Sequence, residues 1–270
     1  MRDKIVISDR MEAVASMVTR GNRVCDVGCD HAFVPIYLIN QGISPYVIAM
    51  DVRKGPLGQA KEHIREYGLD TYIETRLSDG LEQFESGEAD SLICAGMGGK
   101  LMMNILEKDA EKTASFKELI LQPQSELQQF RCFLRSQGYM ITDENMIEEG
   151  GKFYSVIKVA KAAEREVASE VFDGVSEEKF GDVEPCKTLP SEESFNGDWH
   201  KDMADRYGPV LIANKHPVLC KYINWEIGIY EEVLSGLELQ DVSKPKIKKR
   251  YEEVSERLKD CKKVLKEIAG

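Results

Sequence analysis

The stretch Val24-Cys25-Asp26-Val27-Gly28-Cys29-Asp30-His31-Ala32 decides how this chain is read. Arg23 to Val27 is short and apolar enough for a buried strand, and Gly28 breaks it. The polar pair Asp30 and His31 then stands at the entrance of Ala32 to Asn40. That segment reads as a helix with Pro35 in its first turn. Strand, glycine turn and helix entrance in this order build a ligand loop at the carboxyl end of a strand in an open α/β sheet. Gly28 permits the tight turn and lets backbone approach a ligand.

Outward from this loop the same alternation repeats. Residues 9–20 read as a helix, with Met11, Val14, Ala15 and Val18 at helical spacing, Ser8 as its cap and Gly21 as its end. Tyr46 to Met50 is a second strand, ending at Asp51, and Pro56 to Tyr67 a second helix after the loop. Thr71 to Thr75 and Ser91 to Ala95 are further strands, Leu101 to Leu106 sits in a helix, and Glu118 to Leu121 opens a fifth strand. Ser125 to Ser136 is helical, and Gly138 to Ile147 and Phe153 to Val159 are strands around a Glu-Glu-Gly-Gly turn. The pattern predicts an α/β fold: a mostly parallel, Rossmann-like sheet with helices on both faces, right-handed crossovers and an antiparallel finish.

Composition shifts after about residue 160. Residues 161–208 run through Glu, Ser, Asp and Gly with few apolar anchors and read as a linker or partly helical arm. In 215–237, Leu219, Tyr222, Ile229 and Val233 follow a heptad pattern interrupted by Glu226. In the last segment Tyr251, Val254, Leu258, Cys261, Leu265 and Ile268 form an a/d seam, and Val242 to Lys249, with Pro245, includes the turn between the two. The natural product is an antiparallel helical hairpin; an intermolecular coiled coil is the alternative. The chain of 270 residues therefore divides into 1–160 and a helical 161–270.

The 36 Lys and Arg against 47 Asp and Glu give a net charge of −11, which argues against a wrapped, histone-like nucleic-acid binder. It leaves room for a local basic patch, because residues 241–270 hold ten Lys or Arg against six Asp or Glu. The seven cysteines make no C-x-x-C pair, and Cys25, Cys29 and His31 lack partners for a metal site. With no 18-residue apolar run and no signal-peptide core near the amino terminus, a reducing cytoplasm, no membrane and no metal are expected.

The loops carry the chemistry. Asp51 ends the second strand 23 residues after Gly28, where a carboxylate accepts both hydroxyls of a ribose. The G-x-G-x-x-G fingerprint is absent, which argues against a pyrophosphate dinucleotide; a nucleoside without pyrophosphate meets both observations. In Ser78-Asp79-Gly80, Asp79 bonds an adenine amino group or caps a turn. The string Ala95-Gly96-Met97-Gly98-Gly99-Lys100 exposes backbone at the sheet's centre, for a phosphate, for a flat base or as a flexible turn. It is not a Walker A loop, since the spacing fails and Leu101 replaces the hydroxyl residue.

With these residues placed, the chain resembles the bacterial tRNA (adenine-22-N1)-methyltransferase family over nearly its whole length. The strings that carry the resemblance are Ser8-Asp9-Arg10-Met11, Asp26 to Ala32, Leu77 to Leu81, Ala95 to Gly99, Leu121-Gln122-Pro123 and Gly151-Lys152-Phe153-Tyr154. Gly208-Pro209 and Asn214-Lys215-His216-Pro217 are similar to its carboxyl-terminal domain. The resemblance implies a class I S-adenosyl-L-methionine-dependent methyltransferase, a helical, coiled-coil-like tRNA-binding domain, and methylation of N1 of adenine 22 in tRNA. Residue by residue, it implies cofactor contacts from Asp26, Gly28 and Cys29, from Asp51 and Val52, from Asp79 and Gly80, and from Ala95 and Gly96. Cys29 departs from the Ser or small residue expected there, and Val52-Arg53-Lys54 is more basic than expected.

On the substrate side, Asp30 or His31 faces the target base, although His31 is equally a helix-cap or packing residue. Arg10 holds a base, ribose or phosphate, and Met97, Gly98 and Gly99 lie beside it. Tyr154 stacks on a base or is simply a half-buried strand aromatic. Arg53, Lys100, Lys248, Lys249 and Arg250 offer phosphate contacts, the last three doubling as a solvated helix face. The absence of N-P-P-Y fits ring-nitrogen rather than exocyclic-amine chemistry. The competing readings are a methyltransferase with a protein or small-molecule substrate, and a nonenzymatic nucleoside-binding module. A monomer or weak homodimer is expected.

Overall fold

The computed structural model describes residues 5–161, 198–240 and 244–269. The chain forms two compact units, Met1–Cys186 and Lys187–Gly270. The division expected at residue 160 falls beside a stretch, 162–197, that lies outside the described residues.

In the first unit one seven-stranded sheet has the order β3-β2-β1-β4-β5-β7-β6. Its strands are β1 (Val24–Val27), β2 (Val47–Asp51), β3 (Ile73–Leu77), β4 (Ser91–Met97), β5 (Glu118–Pro123), β6 (Tyr139–Glu149) and β7 (Lys152–Lys161). The first five pair in parallel; β7 runs antiparallel to both β5 and β6. The helices are α1 (Asp9–Ser16), α2 (Phe33–Asn40), α3 (Lys54–Glu66), α4 (Gly99–Lys108), α5 (Ala110–Thr113) and α6 (Leu127–Ser136).

Period-two alternation gives the sheet two apolar faces. Val24, Val47, Ala49, Ile93 and Ile120 face one way, toward Val14 of α1, Ile36 of α2 and Ile64 of α3. Cys25, Ile48, Met50, Leu92, Cys94 and Leu121 face the other, toward Met102 and Leu106 of α4 and Phe130 and Leu134 of α6. Ser8 caps α1, its hydroxyl accepting from the Met11 N–H at 3.4 Å.

Several boundaries differ from the sequence reading, among them β3, which runs Ile73–Leu77 rather than Thr71 to Thr75, and α6, which starts at Leu127 rather than Ser125. The helix expected over 9–20 stops at Ser16, and Met17 and Val18 are buried in the turn that follows. The next helix starts at Phe33 rather than Ala32, because His31 and Ala32 both take φ of +60°. Helix α3 starts at Lys54, two residues ahead of Pro56, so the proline sits in its first turn.

Two buried charged groups brace the unit. The Arg131 guanidinium on α6 pairs with Glu144 on β6 at 2.8 Å. Glu118 opens β5 and accepts from Thr19 Oγ1 at 2.6 Å, Ser91 Oγ at 2.6 Å and Lys158 Nζ at 2.7 Å.

The second unit comprises α7 (Asp198–Tyr207), α8 (Pro209–Ala213), α9 (Pro217–Glu238) and α10 (Pro245–Ala269). Helix α7 thus occupies part of the expected linker; of the segment Val242 to Lys249 expected to include the turn, 242–243 lie outside the described residues and Pro245 to Lys249 already belong to α10. Helices α9 and α10 form the antiparallel hairpin: the Tyr251 hydroxyl donates to Glu238 at 3.0 Å and Lys262 pairs with Glu231 at 2.8 Å. The α10 seam holds, with Val254, Cys261 and Ile268 buried. On α9 the seam is corrected: Ile223 is buried while Ile229 is 41% exposed. Glu226 is no gap, for it accepts from the Tyr207 hydroxyl at 2.8 Å and pairs with Arg206 at 3.3 Å.

Candidate active site

Strand β1 lies between β2 and β4, so the chain order reverses at β1 and the crevice opens at the carboxyl ends of these strands. A cavity of about 530 Å³ occupies it. Asp26 on β1 and Asp51 at the end of β2 are both buried and both line it. The Gly28 and Cys29 N–H groups donate to the Met50 carbonyl at 2.8 and 3.0 Å, folding the loop back over β2. Gly28 has φ of +80°, and a Cβ there would stand 3.0 Å from the Met97 methyl group. The positive φ is what calls for glycine at this position; a Cβ would also press on the flexible Met97 methyl group.

Electrostatics distinguish the two carboxylates. Burial, reinforced by the Asp51 charge, pushes the Asp26 carboxyl from 3.8 up to about 7. Asp51 accepts from the Arg53 N–H at 2.8 Å and has the Arg53 guanidinium 3.6 Å away. Burial likewise pushes the Cys29 thiol up, so it is a neutral wall of the cavity. Val52, Asp79, Gly80, Ala95 and Gly96 also line it, and Lys108 pairs with Asp79 at 3.3 Å.

The expected substrate residues divide. Arg10, Asp30, Arg53 and Met97 line the cavity. Arg10 is held by Gln122 Oε1 at 2.9 Å and by the Glu149 carboxylate at 3.9 Å, and its guanidinium lies 5.4 Å from the centre of the Tyr154 ring. Tyr154 therefore backs Arg10 rather than lining the cavity. His31 is not among the lining residues; its Nε2 lies 3.5 Å from Asp30 and its ring stacks on Phe33 at 5.7 Å, which does line it. Gly98, Gly99 and Lys100 also stand outside the lining. Gly99 has a packing reason instead, because a Cβ there would collide with the Ser125 carbonyl oxygen. Lys248, Lys249 and Arg250 are exposed on the first turns of α10, in the second unit, where the latter two pair with Glu253 at 4.0 and 3.7 Å.

Residues 7–157 match the model of the methyltransferase domain family. The tRNA (adenine(22)-N(1))-methyltransferase of Bacillus subtilis is 37% identical over 174 residues, 64% of this chain and 71% of that protein. The chain belongs to the tRNA (adenine(22)-N(1))-methyltransferase family. The structures of family relatives agree across both units. Streptococcus pneumoniae Sp1610 in complex with S-adenosyl-L-methionine is 29% identical, with a TM-score of 0.73 over 96% of this chain and 100% of that one. The B. subtilis m1A22 tRNA methyltransferase TrmK is also 29% identical, with a TM-score of 0.73 over 96% of this chain and 99% of that one.

Several walls of this family member's cavity carry no sequence signature. Phe33, Ile105 and Gln124 line it, each resembling an ordinary helix or loop residue in sequence. Gln122, which holds Arg10, had one visible cue: an uncharged polar residue closing the apolar run Leu119-Ile120-Leu121.

Proposed function

We infer that the protein transfers a methyl group from S-adenosyl-L-methionine to N1 of adenine 22 in tRNA. The observation that carries this is the crevice at the ends of β1, β2 and β4, with its glycine loop and two buried carboxylates, in a chain of this family. The residues present fit the cofactor. A cavity of about 530 Å³ lies within the range of roughly 300–1,000 Å³ for small-molecule sites. Gly28, at φ of +80°, lets the loop backbone itself line the cavity. Asp26 and Asp51, crowded enough to raise Asp26, suit a cationic ligand. Asp51 would take the ribose hydroxyls, Asp79 and Gly80 the adenine end, and Asp26, Gly28 and Cys29 the amino-acid end.

When bound, the cofactor supplies a methyl group on a cationic sulfur. Adenine N1 carries a lone pair at neutral pH, so the chain need not remove a proton before attack. Attack by N1 would form the new bond to carbon, and the electrons of the carbon–sulfur bond would leave with the sulfur. Positive charge then passes to the adenine ring. Asp30, a carboxylate at the cavity edge, stabilises that charge. Arg10, clamped by Gln122 and Glu149, fixes the base or its sugar–phosphate, and orientation supplies the rest of the acceleration. The target adenine is turned out of the tRNA to reach the cavity.

Lys248, Lys249 and Arg250 grip tRNA phosphates from the second unit. Six described cysteines are free thiols, which supports action in the reducing cytoplasm. A monomer or weak homodimer completes this reading.

The test is methyl transfer from labelled cofactor to an unmodified tRNA transcript. Incorporation that disappears when adenine 22 alone is replaced supports the reading; unchanged incorporation into the replaced transcript overturns it.

A further inference from the structure

Strands β4 and β5 pair in register as far as Ala95 and Gln122, and the register resumes one residue out of step at Met97 and Pro123. Gly96 is the extra residue of this bulge and takes φ of +78°. Its N–H donates to the Gln122 side-chain oxygen at 3.1 Å. The same oxygen accepts from Arg10 Nη1 at 2.9 Å. Bulges next to active sites re-aim backbone, and this one turns Gly96 into the cavity wall.

Gln122 is fully buried, so its amide has no water to fall back on. Both neighbours are donors, which fixes the oxygen toward them; a flipped amide would set N–H groups against N–H groups. That orientation leaves Nε2 buried without an acceptor. A buried amide donor is rarely left unpaired in a folded protein. Here the two bonds to the oxygen outweigh the loss. Apolar packing alone would place Leu or Met at this position.

We propose that Gln122 is a positioning residue for methyl transfer, its single carbonyl oxygen locking the Arg10 guanidinium and the bulged Gly96 peptide into one wall of the cavity. The role rests on the tRNA-methyltransferase reading, because Arg10 is the group that meets the RNA. Gln122 acts through Arg10 and Gly96. What matters is the acceptor, not the amide.

The experiment compares Gln122→Leu with Gln122→Glu, in the full chain. Glutamate keeps an acceptor for both donors; leucine keeps the bulk and loses the acceptor. The expected result is a fall of at least tenfold in kcat/KM for tRNA in Gln122→Leu, measured at saturating cofactor because Gly96 also lines the cofactor cavity. Gln122→Glu retains the larger part of the activity. A packing role predicts the reverse order, since a carboxylate is the costlier group to bury. Gln122→Leu activity within twofold of wild type, or equal damage in both variants, overturns the proposal. Should Gln122→Leu not fold, Gln122→Met replaces it under the same criteria. Amide exchange at Gly96 gives a readout free of turnover: protection lost at least tenfold in Gln122→Leu and kept in Gln122→Glu. If wild-type protein transferred nothing to tRNA, the functional reading would fail, and Gly96 exchange would still decide whether Gln122 holds this wall.

Discussion

Replacing Asp26 with Asn should stabilise the protein at alkaline pH while weakening cofactor binding. In the fold, burial and the Asp51 charge raise the Asp26 carboxyl from 3.8 to about 7. At roughly 1.36 kcal/mol per pH unit, that gap corresponds to on the order of 4 kcal/mol of opposition to the ionised form. The sign follows from linkage. Between about pH 4 and 7 the folded state holds a proton that the unfolded state has released. Stability therefore falls as pH rises through this window and levels off above about 7. Asparagine carries no charge at any pH. The Asp26→Asn protein should melt higher than wild type at pH 8.5, by up to roughly 2–4 °C per kcal/mol relieved. The gap should shrink to under half its alkaline value by pH 5 and close only below about pH 4, where Asp26 is neutral in both the folded and the unfolded chain. Isothermal titration should show the cost: wild-type affinity for S-adenosyl-L-methionine falls as pH drops below about 7, while the variant binds weakly and without that dependence. A melting difference equal at pH 5 and 8.5, or a wild type more stable at pH 8.5, would refute the reasoning.

Three further outcomes follow from other parts of the molecule. Gly99→Ala forces α4 away from the Ser125 carbonyl and should cost about 1–3 kcal/mol in denaturant unfolding, whereas Gly58→Ala, in open space inside α3, should stabilise by about 0.5–1 kcal/mol. Burial alone would raise the Glu118 carboxyl, but Lys158 and the Ser91 and Thr19 hydroxyls outweigh it and hold it low. Its stabilisation is thus present at neutral pH and lost as acid carries the protein below the ordinary carboxylate range; Glu118→Gln should lose roughly 1.5–3 kcal/mol at pH 7 and flatten the acid limb of the stability curve. Replacing Lys248, Lys249 and Arg250 together with Ala should lower the slope of log affinity for tRNA against log salt by up to about 3, leaving cofactor affinity unchanged.

The centre of the sheet was legible in sequence because β1, β2, β4 and β5 carry short apolar runs buried on both faces, and Gly28 and Asp51 punctuate strand ends. Helix limits were less so. Val18 continues the apolar spacing of α1 although the helix has ended, since a turn buries it equally well. His31 and Ala32 adopt left-handed backbone with no glycine to announce it. On α9 the heptad pattern placed Ile229 in the seam, but the helix also packs Glu226 against Arg206 and Tyr207 of α7, and the buried face turns toward Ile223. In the cavity, the acidic and glycine positions carried a local signal. Gly99 carried the same signal for a packing reason, and Gln122 acts through partners 112 and 26 positions away that no local pattern connects.

The central claim is tested most directly by locating the methyl group on the RNA. Methylation at N1 removes the Watson–Crick edge of adenine, so reverse transcription of the treated tRNA should halt beside nucleotide 22 and run through in untreated RNA. Methyl incorporation without that halt, or with a halt at another nucleotide, would contradict the account.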